Sequence, residues 1–200
     1  MGLAISLDIE GKRALVVGGG DAALDKVERL LDAGALVTLL AREAGSAIES
    51  LAMRSRLTLL QRDFYPADLH DADLVLVTAH DPELVARVAE AARGAGAALW
   101  CEDDPARSDF AMPALARSGR VRVAVSTSGA APALAGKLRA ALEFSLDAKF
   151  RAFVDRLAAE RERLQREEPD AEQRREKLRA LVEGFDATLT IRYPGEPKSD

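Results

Sequence analysis

Two stretches of this chain carry residue types and spacings that do chemistry. The first is Gly18-Gly19-Gly20-Asp21-Ala22-Ala23. Gly18-x-Gly20-x-x-Ala23 has the spacing of a dinucleotide-binding turn. The first glycine permits a tight turn, Gly20 lets the backbone approach a pyrophosphate, and Ala23 lets helix and strand pack closely. N–H groups and the dipole at a helix start then attract phosphate. Glycine-rich turns also serve plain strand-to-helix connections, so the flanks decide. Here an apolar run, Ala14 to Val17, leads in and a helical pattern leaves at once. The second stretch is Glu102-Asp103-Asp104-Pro105. A carboxylate beyond a strand end serves as a general base where it reaches a substrate proton; the same residues also make turns and helix caps. Like charges at Glu102 and Asp104 should raise the pKa of one carboxylate in the group.

Other residues lie where such a site needs them. Glu43 stands twenty positions past Ala23, where an acid reads the ribose 2′-OH of NAD. Arg42 suits a 2′-phosphate instead, so the choice between NAD and NADP only leans to NAD; a solvated Arg-Glu pair is the bland alternative. Thr78 and His80 follow the fourth strand, His80 as base, ligand or turn residue. Cys101 reads as a small core residue, and Trp100 and Met112 either pack in the core or touch a flat ligand.

In open α/β sheets, ligands bind beyond the carboxyl ends of the strands. The loops that matter are therefore 18–21, 41–43, 78–81 and 102–107. Apolar runs predict strands at Arg13–Val17, Leu36–Leu40, Leu57–Leu60, Asp73–Val77 and Ala97–Cys101. Helical spacing predicts helices from Asp21 to about Ala33 and from Ser46 to Met53. A third, capped by Asp81 with Pro82 at its first position, should be stopped by Gly94 and Gly96. Gln61 to Asp71 is a polar connection. This alternation predicts a Rossmann-type, doubly wound parallel sheet. After Phe110 the pattern changes: a short helix or turn at Met112–Arg117, a sixth strand at Val121–Val125 and a helix from Pro132 to Phe144. Phe150, Val154 and Leu157 then repeat at helical spacing. The charged run Glu160–Arg179 reads as solvated helix faces, interrupted at Pro169-Asp170, where the last helix begins. Pro194–Asp200 is a polar tail expected to be disordered.

Composition narrows the classes. Of 200 residues 48% are apolar and the net charge is -5, with a pI near 5.3, which argues against a nucleic-acid binder. Cys101 is the one cysteine, so no internal disulfide is expected and a reducing cytoplasm fits. Met1 to Gly11 lacks the signal-peptide pattern, and no apolar run has membrane-span length. Two histidines and one cysteine do not make a structural zinc site, and no metal site is expected.

Gly18-Gly-Gly-Asp-Ala-Ala-Leu-Asp-Lys26, Asp103-Asp-Pro-x-x-x-Asp-Phe110, Met112-Pro113 and Val123-Ala-Val-Ser-Thr-Ser-Gly-Ala-Ala-Pro-Ala-Leu-Ala135 together resemble the precorrin-2 dehydrogenase family, which also forms the N-terminal part of siroheme synthases. The resemblance runs from about Leu7 to Glu183. It implies NAD-dependent oxidation of precorrin-2 to sirohydrochlorin, with Asp103 as the catalytic acid/base. Some members also insert iron, so Fe²⁺ is a partner only if this chain is a chelatase. It further implies a homodimer through Val121–Phe144. The Rossmann domain would be 1–113, the dimerisation segment 114–146, the helical C-terminal domain 147–190 and the tail 191–200. Acetate and propionate groups of the tetrapyrrole need cationic partners, and Arg107, Arg117 and Lys137 are the candidates, with Arg120, Arg122 and Arg139 also available. The chain departs from the family pattern at Trp100-Cys101-Glu102, where Asn-Val-Val is usual, at His80 and at Ala130-Ala131. The competing reading is a catalytically silent nucleotide or tetrapyrrole binder on the same fold.

Overall fold

The computed structural model describes residues 3–191 and Tyr193, which form two compact units dividing between Met112 and Pro113. The first unit runs β1 (Arg13–Val17), α1 (Asp21–Asp32), β2 (Leu36–Leu40), α2 (Ser46–Arg54), β3 (Leu57–Leu60), a 3₁₀ turn (Pro66–Leu69), β4 (Leu74–Val77), α3 (Pro82–Ala95) and β5 (Ala98–Cys101). The strands form one parallel sheet in the order β3-β2-β1-β4-β5. Alternate residues face opposite layers. Ala14, Val16, Leu39 and Leu76 pack with Val27 and Leu30 of α1 and Ile48 of α2. Leu15, Val17, Val75 and Leu99 pack with Val88, Ala89 and Ala92 of α3. Strands buried on both faces read as continuous apolar runs, which is why the doubly wound sheet was predictable. Strand order reverses beside β1, and a ligand crevice opens at that reversal.

Two details differ from expectation. Helix α3 continues through Gly94, and Gly96 ends it in the left-handed region at φ 71°; a glycine inside a helix costs only about 1 kcal/mol, so Gly94 alone does not stop it. The stretch 61–71 is also not merely polar. Phe64 and Leu69 are buried under the sheet, closed over by Arg62, which donates to both oxygens of Asp68 at 2.9 and 2.6 Å, while the Tyr65 N–H donates to Asp68 at 2.8 Å. The Arg62 hydrogen bond holds the Asp68 carboxyl below the ordinary carboxylate range, against a burial effect of opposite sign. A depressed folded pKa contributes stability that is full above about pH 4, the unfolded value, and is lost as pH falls through the folded pKa. Asp68→Asn is therefore expected to lower the thermal midpoint at pH 7, with the difference from wild type shrinking below pH 4. A difference independent of pH would show that the carboxylate charge is not what closes this turn.

In the second unit, β6 (Ala114–Ser118) and β7 (Val121–Val125) form an antiparallel hairpin, followed by α4 (Pro132–Ser145), α5 (Ala148–Glu167) and α6 (Ala171–Ala180). The expectation of a short helix or turn at Met112–Arg117 is corrected: Ala114 to Ser118 is a strand, paired from Ala114↔Val125 to Ser118↔Val121. Alanine and leucine favour helix locally, but Gly119 at φ 56° lets a two-residue turn fold the segment back on a valine-rich strand. Asp147 and Asp170 cap α5 and α6 by accepting backbone N–H bonds. Arg163 pairs with Glu160 and Glu167 on the solvated face of α5. The expected disordered tail, Pro194–Asp200, lies outside the described residues. Among those residues no helix is long and apolar enough to cross a membrane.

Candidate functional site

The turn after β1 shows why three glycines stand there. Gly18 has φ 136°, and its N–H donates to the Leu40 carbonyl at 3.0 Å. A Cβ at this position would lie 2.2 Å from Thr78 Oγ1. Thr78 is buried; its hydroxyl donates to the Val17 carbonyl at 3.4 Å, and its N–H donates to the same oxygen at 2.9 Å. A Cβ on Gly19 would overlap the Glu43 carbonyl at 1.9 Å, and the Gly45 N–H donates to the Gly19 carbonyl at 3.2 Å. Gly19 therefore holds the loop after β2 against the turn.

Gly20 differs from both, since a Cβ built there meets nothing within 4 Å. Gly20 caps α1 without any side-chain hydrogen bond, as Gly45 does α2 and Ala131 does α4, whereas α3, α5 and α6 are each capped by an aspartate. Asp21 is exposed, Ala22 is half-buried and Ala23 is fully buried against the sheet. An uncapped first turn beneath open space fits a pyrophosphate. Gly19→Ala is expected to cost about 1–3 kcal/mol of stability by overpacking, and Gly20→Ala much less, as thermal melts of the two variants would show. Equal melting of the two would mean that the 43–45 loop yields freely.

Glu43 lies exposed just past β2. Arg42 pairs with Asp63, and that hydrogen bond, with Asp63's charge, raises the guanidinium pKa. The Arg-Glu pair considered from sequence is thus replaced by Arg42-Asp63, which engages the group that suited a 2′-phosphate.

The acidic loop is organised by its own residues. Asp104 accepts from the Arg107 side chain and, at 3.1 Å, from the Arg107 N–H. Ser108 Oγ donates to the Asp104 carbonyl at 2.8 Å and accepts from the Cys101 N–H at 2.9 Å. Asp109 accepts from the Leu99 N–H at 2.9 Å, and its own N–H donates to the Leu99 carbonyl at 2.8 Å. Ser108 and Asp109 are thereby strapped along the free edge of β5, an outer strand whose N–H groups would otherwise lack partners. Burial pushes the Asp104 carboxyl up, but the hydrogen bonds from Arg107 outweigh it and leave the pKa below its ordinary value.

Asp103 takes no part in the strap. It sits exposed in the left-handed region at φ 54°, a conformation aspartate tolerates, and it makes no side-chain hydrogen bond or ion pair among the described residues. The Glu102 N–H continues the ladder by donating to the Val77 carbonyl at 2.9 Å. His80 is exposed on the β4–α3 loop. Cys101 is buried, and desolvation raises its thiol pKa, with Asp104's charge adding to the effect. Trp100 and Met112 pack against the core beneath α1 and α2, with Lys26 Nζ 5.2 Å from the Trp100 ring centroid.

The residues singled out from sequence thus fall into two groups. Gly18–Ala23, Glu43, Thr78, Asp103 and Arg107 lie at the carboxyl edge of the parallel sheet. Arg117, on β6 opposite Arg122, and Lys137, exposed on α4, belong to the second unit. Sequence reasoning missed Ser108 and the strapping part played by Asp109, because that signal appears only once β5 is known to be an outer strand. Among the described residues no group of three or more His, Cys, Asp or Glu is placed to hold a metal ion.

Residues 5–114 match a family described as "Putative NAD(P)-binding". The siroheme synthase of Methylococcus capsulatus is 37% identical over 195 residues, which cover 97% of this chain and 41% of that protein. The siroheme synthase of Thiobacillus denitrificans is 38% identical over 148 residues, 74% of this chain and 31% of that one. The chain therefore spans well under half the length of these relatives. Among solved structures, SirC, a precorrin-2 dehydrogenase, superposes with a TM-score of 0.75 over 90% of this chain and 89% of that one at 21% identity, a likeness that shows the shared fold. With the glycine turn, the uncapped α1 and the matched stretch in agreement, the chain belongs to this NAD(P)-binding family.

Proposed function

We propose that this protein is an NAD-dependent precorrin-2 dehydrogenase that yields sirohydrochlorin for siroheme synthesis. The observation that carries the reading is the placement of an open, uncapped dinucleotide turn and a carboxylate, Asp103, unpaired among the described residues, on one carboxyl edge of the sheet. Kinship with siroheme synthases along nearly the whole chain supports the substrate.

Bound NAD supplies a hydride acceptor. The chain's own residues do the rest. Gly18 and Gly19 shape the turn, Gly20, Asp21, Ala22 and Ala23 present the backbone N–H groups of the first helical turn to the pyrophosphate, Glu43 accepts from the adenosine ribose, and Thr78 walls the turn. Asp103 takes the proton that leaves the macrocycle, while Asp104 stays bound to Arg107 and shapes the loop. Arg107 retains N–H donors beyond those it gives Asp104, and it pairs with a carboxylate of the substrate. The segment 114–146 mediates a homodimer with two-fold symmetry, 147–190 is the helical part, and the protein works in the cytoplasm, where a reduced, buried Cys101 is stable.

Adding precorrin-2 and NAD to the protein and following NADH absorbance tests the reading; absence of NADH with intact NAD binding would favour the silent binder. Sirohydrochlorin with Fe²⁺ or Co²⁺ tests whether iron is a further substrate. Light scattering at micromolar concentration tests the dimer, which a monomer mass would refute.

A further inference from the structure

The side chain that the proposed chemistry leaves unused is Glu102. It is half-buried, and its Oε2 is shut off from solvent with no hydrogen-bond partner among the described residues. Buried carboxylate oxygens are seldom left in this state, because removal from water is costly unless a donor replaces the lost hydration. The neighbouring loop is rich in bonds, yet none reaches this oxygen: Arg107 goes to Asp104, and Ser108 and Asp109 go to β5.

The position of Glu102 tells which donor is missing. Val77 lies opposite Cys101 in the β4–β5 ladder, and the Glu102 N–H donates to the Val77 carbonyl, so the next pair in register is Thr78 with Glu102. Alternation puts both on the layer that holds α1, the layer of Leu76 and Trp100. Thr78 in turn lies against Gly18. Gly18, Thr78 and Glu102 thus form a row along the carboxyl edge, across β1, β4 and β5, at neighbouring-strand spacings of about 4.8 Å. Glu43 stands on the other side of Gly18, past β2.

We infer that Glu102 is the acceptor for the second ribose of the dinucleotide, the one remote from adenine, whose vicinal hydroxyls are the donors its carboxylate lacks. The inference rests on the NAD reading of the crevice. With the pyrophosphate on the β1 turn and the adenosine half toward Glu43, the remaining half extends over β4 and β5. A carboxylate there suits a neutral diol and repels phosphate, the same chemistry by which an acid recognises the adenosine ribose.

Calorimetric titration of the purified protein and of Glu102→Val and Glu102→Gln with NAD, ADP-ribose and ADP provides the test, with thermal melts of the ligand-free proteins alongside. ADP lacks the second ribose and ADP-ribose lacks only the nicotinamide. Both variants are expected to bind NAD and ADP-ribose about tenfold or more weakly, the scale of a hydrogen bond to a charged group, and ADP as wild type does. Glu102→Val is also expected to melt higher without ligand, since an unpartnered carboxylate oxygen is removed. Unchanged NAD affinity in the variants would overturn the inference while leaving the dinucleotide site intact. So would a loss for NAD with none for ADP-ribose, which would move the contact to the nicotinamide, or an equal loss for ADP. Failure of the wild-type protein to bind any of the three would instead overturn the NAD reading, and this inference with it.

Discussion

Asp103→Asn is expected to lower turnover of precorrin-2 by about 10²–10⁴, the scale of losing a positioned general base, with NAD affinity nearly unchanged. The structure makes this substitution a clean one. Asparagine adopts the left-handed conformation as readily as aspartate, so the φ of 54° is kept, and Asp103 has no hydrogen bond to lose among the described residues. Asp104→Asn should act differently. Asp104 is bound by Arg107 through both side chain and backbone, and its pKa lies below the ordinary carboxylate range, so it is the poorer base and the better latch. Its substitution should cost thermal stability first and turnover less. Steady-state kinetics and melts of the two variants, with His80→Ala as a third, separate the assignments. Normal turnover in Asp103→Asn with a dead Asp104→Asn or His80→Ala would move the base. Activity in all three would leave the loop a purely orienting part.

Gly20→Val carries the other large expected effect. No atom lies within 4 Å of a Cβ at Gly20, and its φ of -92° is open to any residue, so the fold should survive at a cost of about 1 kcal/mol or less for the changed helix cap. Binding should not survive. A branched side chain over the first turn of α1 keeps a pyrophosphate from the N–H groups; losing two charge-assisted hydrogen bonds at about 1.5–3 kcal/mol each weakens NAD by on the order of 10²–10⁴. Unchanged NAD affinity in a folded Gly20→Val protein would reduce the glycines to a structural turn. Gly19→Ala is the informative control, because its Cβ strikes the Glu43 carbonyl and its damage should appear in the melt.

The contrast between Gly19 and Gly20 marks how far the chain could be read without coordinates. The parallel sheet was legible because Ala14–Val17, Leu39–Leu40 and Leu74–Val77 are buried and the strands are bounded by glycine or acidic turns, so pattern and burial coincide. The glycine motif was legible for the same reason: strand, turn and helix follow one another locally. What stayed hidden depended on partners remote in sequence or on edges. Ala114–Ser118 has local helix formers and becomes a strand only by pairing with Val121–Val125. Phe64 and Leu69 look incidental until Arg62 and Asp68 close the turn above them. Gly19 reads as one more phosphate glycine until the loop at Glu43 is packed against it. Within the acidic loop, spacing singled out Asp103 and Asp104 together; only the geometry divides them into one bound carboxylate and one free.

The strap of Ser108 and Asp109 along β5 has a consequence for how this protein tolerates change. The segment that seals the sheet's outer edge begins at Ser108, whose hydroxyl also bonds the Asp104 carbonyl, so loosening the loop to admit a different substrate also uncovers strand N–H groups that invite another chain to pair. Laboratory variants of residues 103–109 selected for a wider crevice should therefore be lost to aggregation during expression more often than to poor catalysis. Substitutions on the Glu43 side, where no sheet edge depends on the loop's internal bonds, should offer the freer route to altered cofactor or substrate preference.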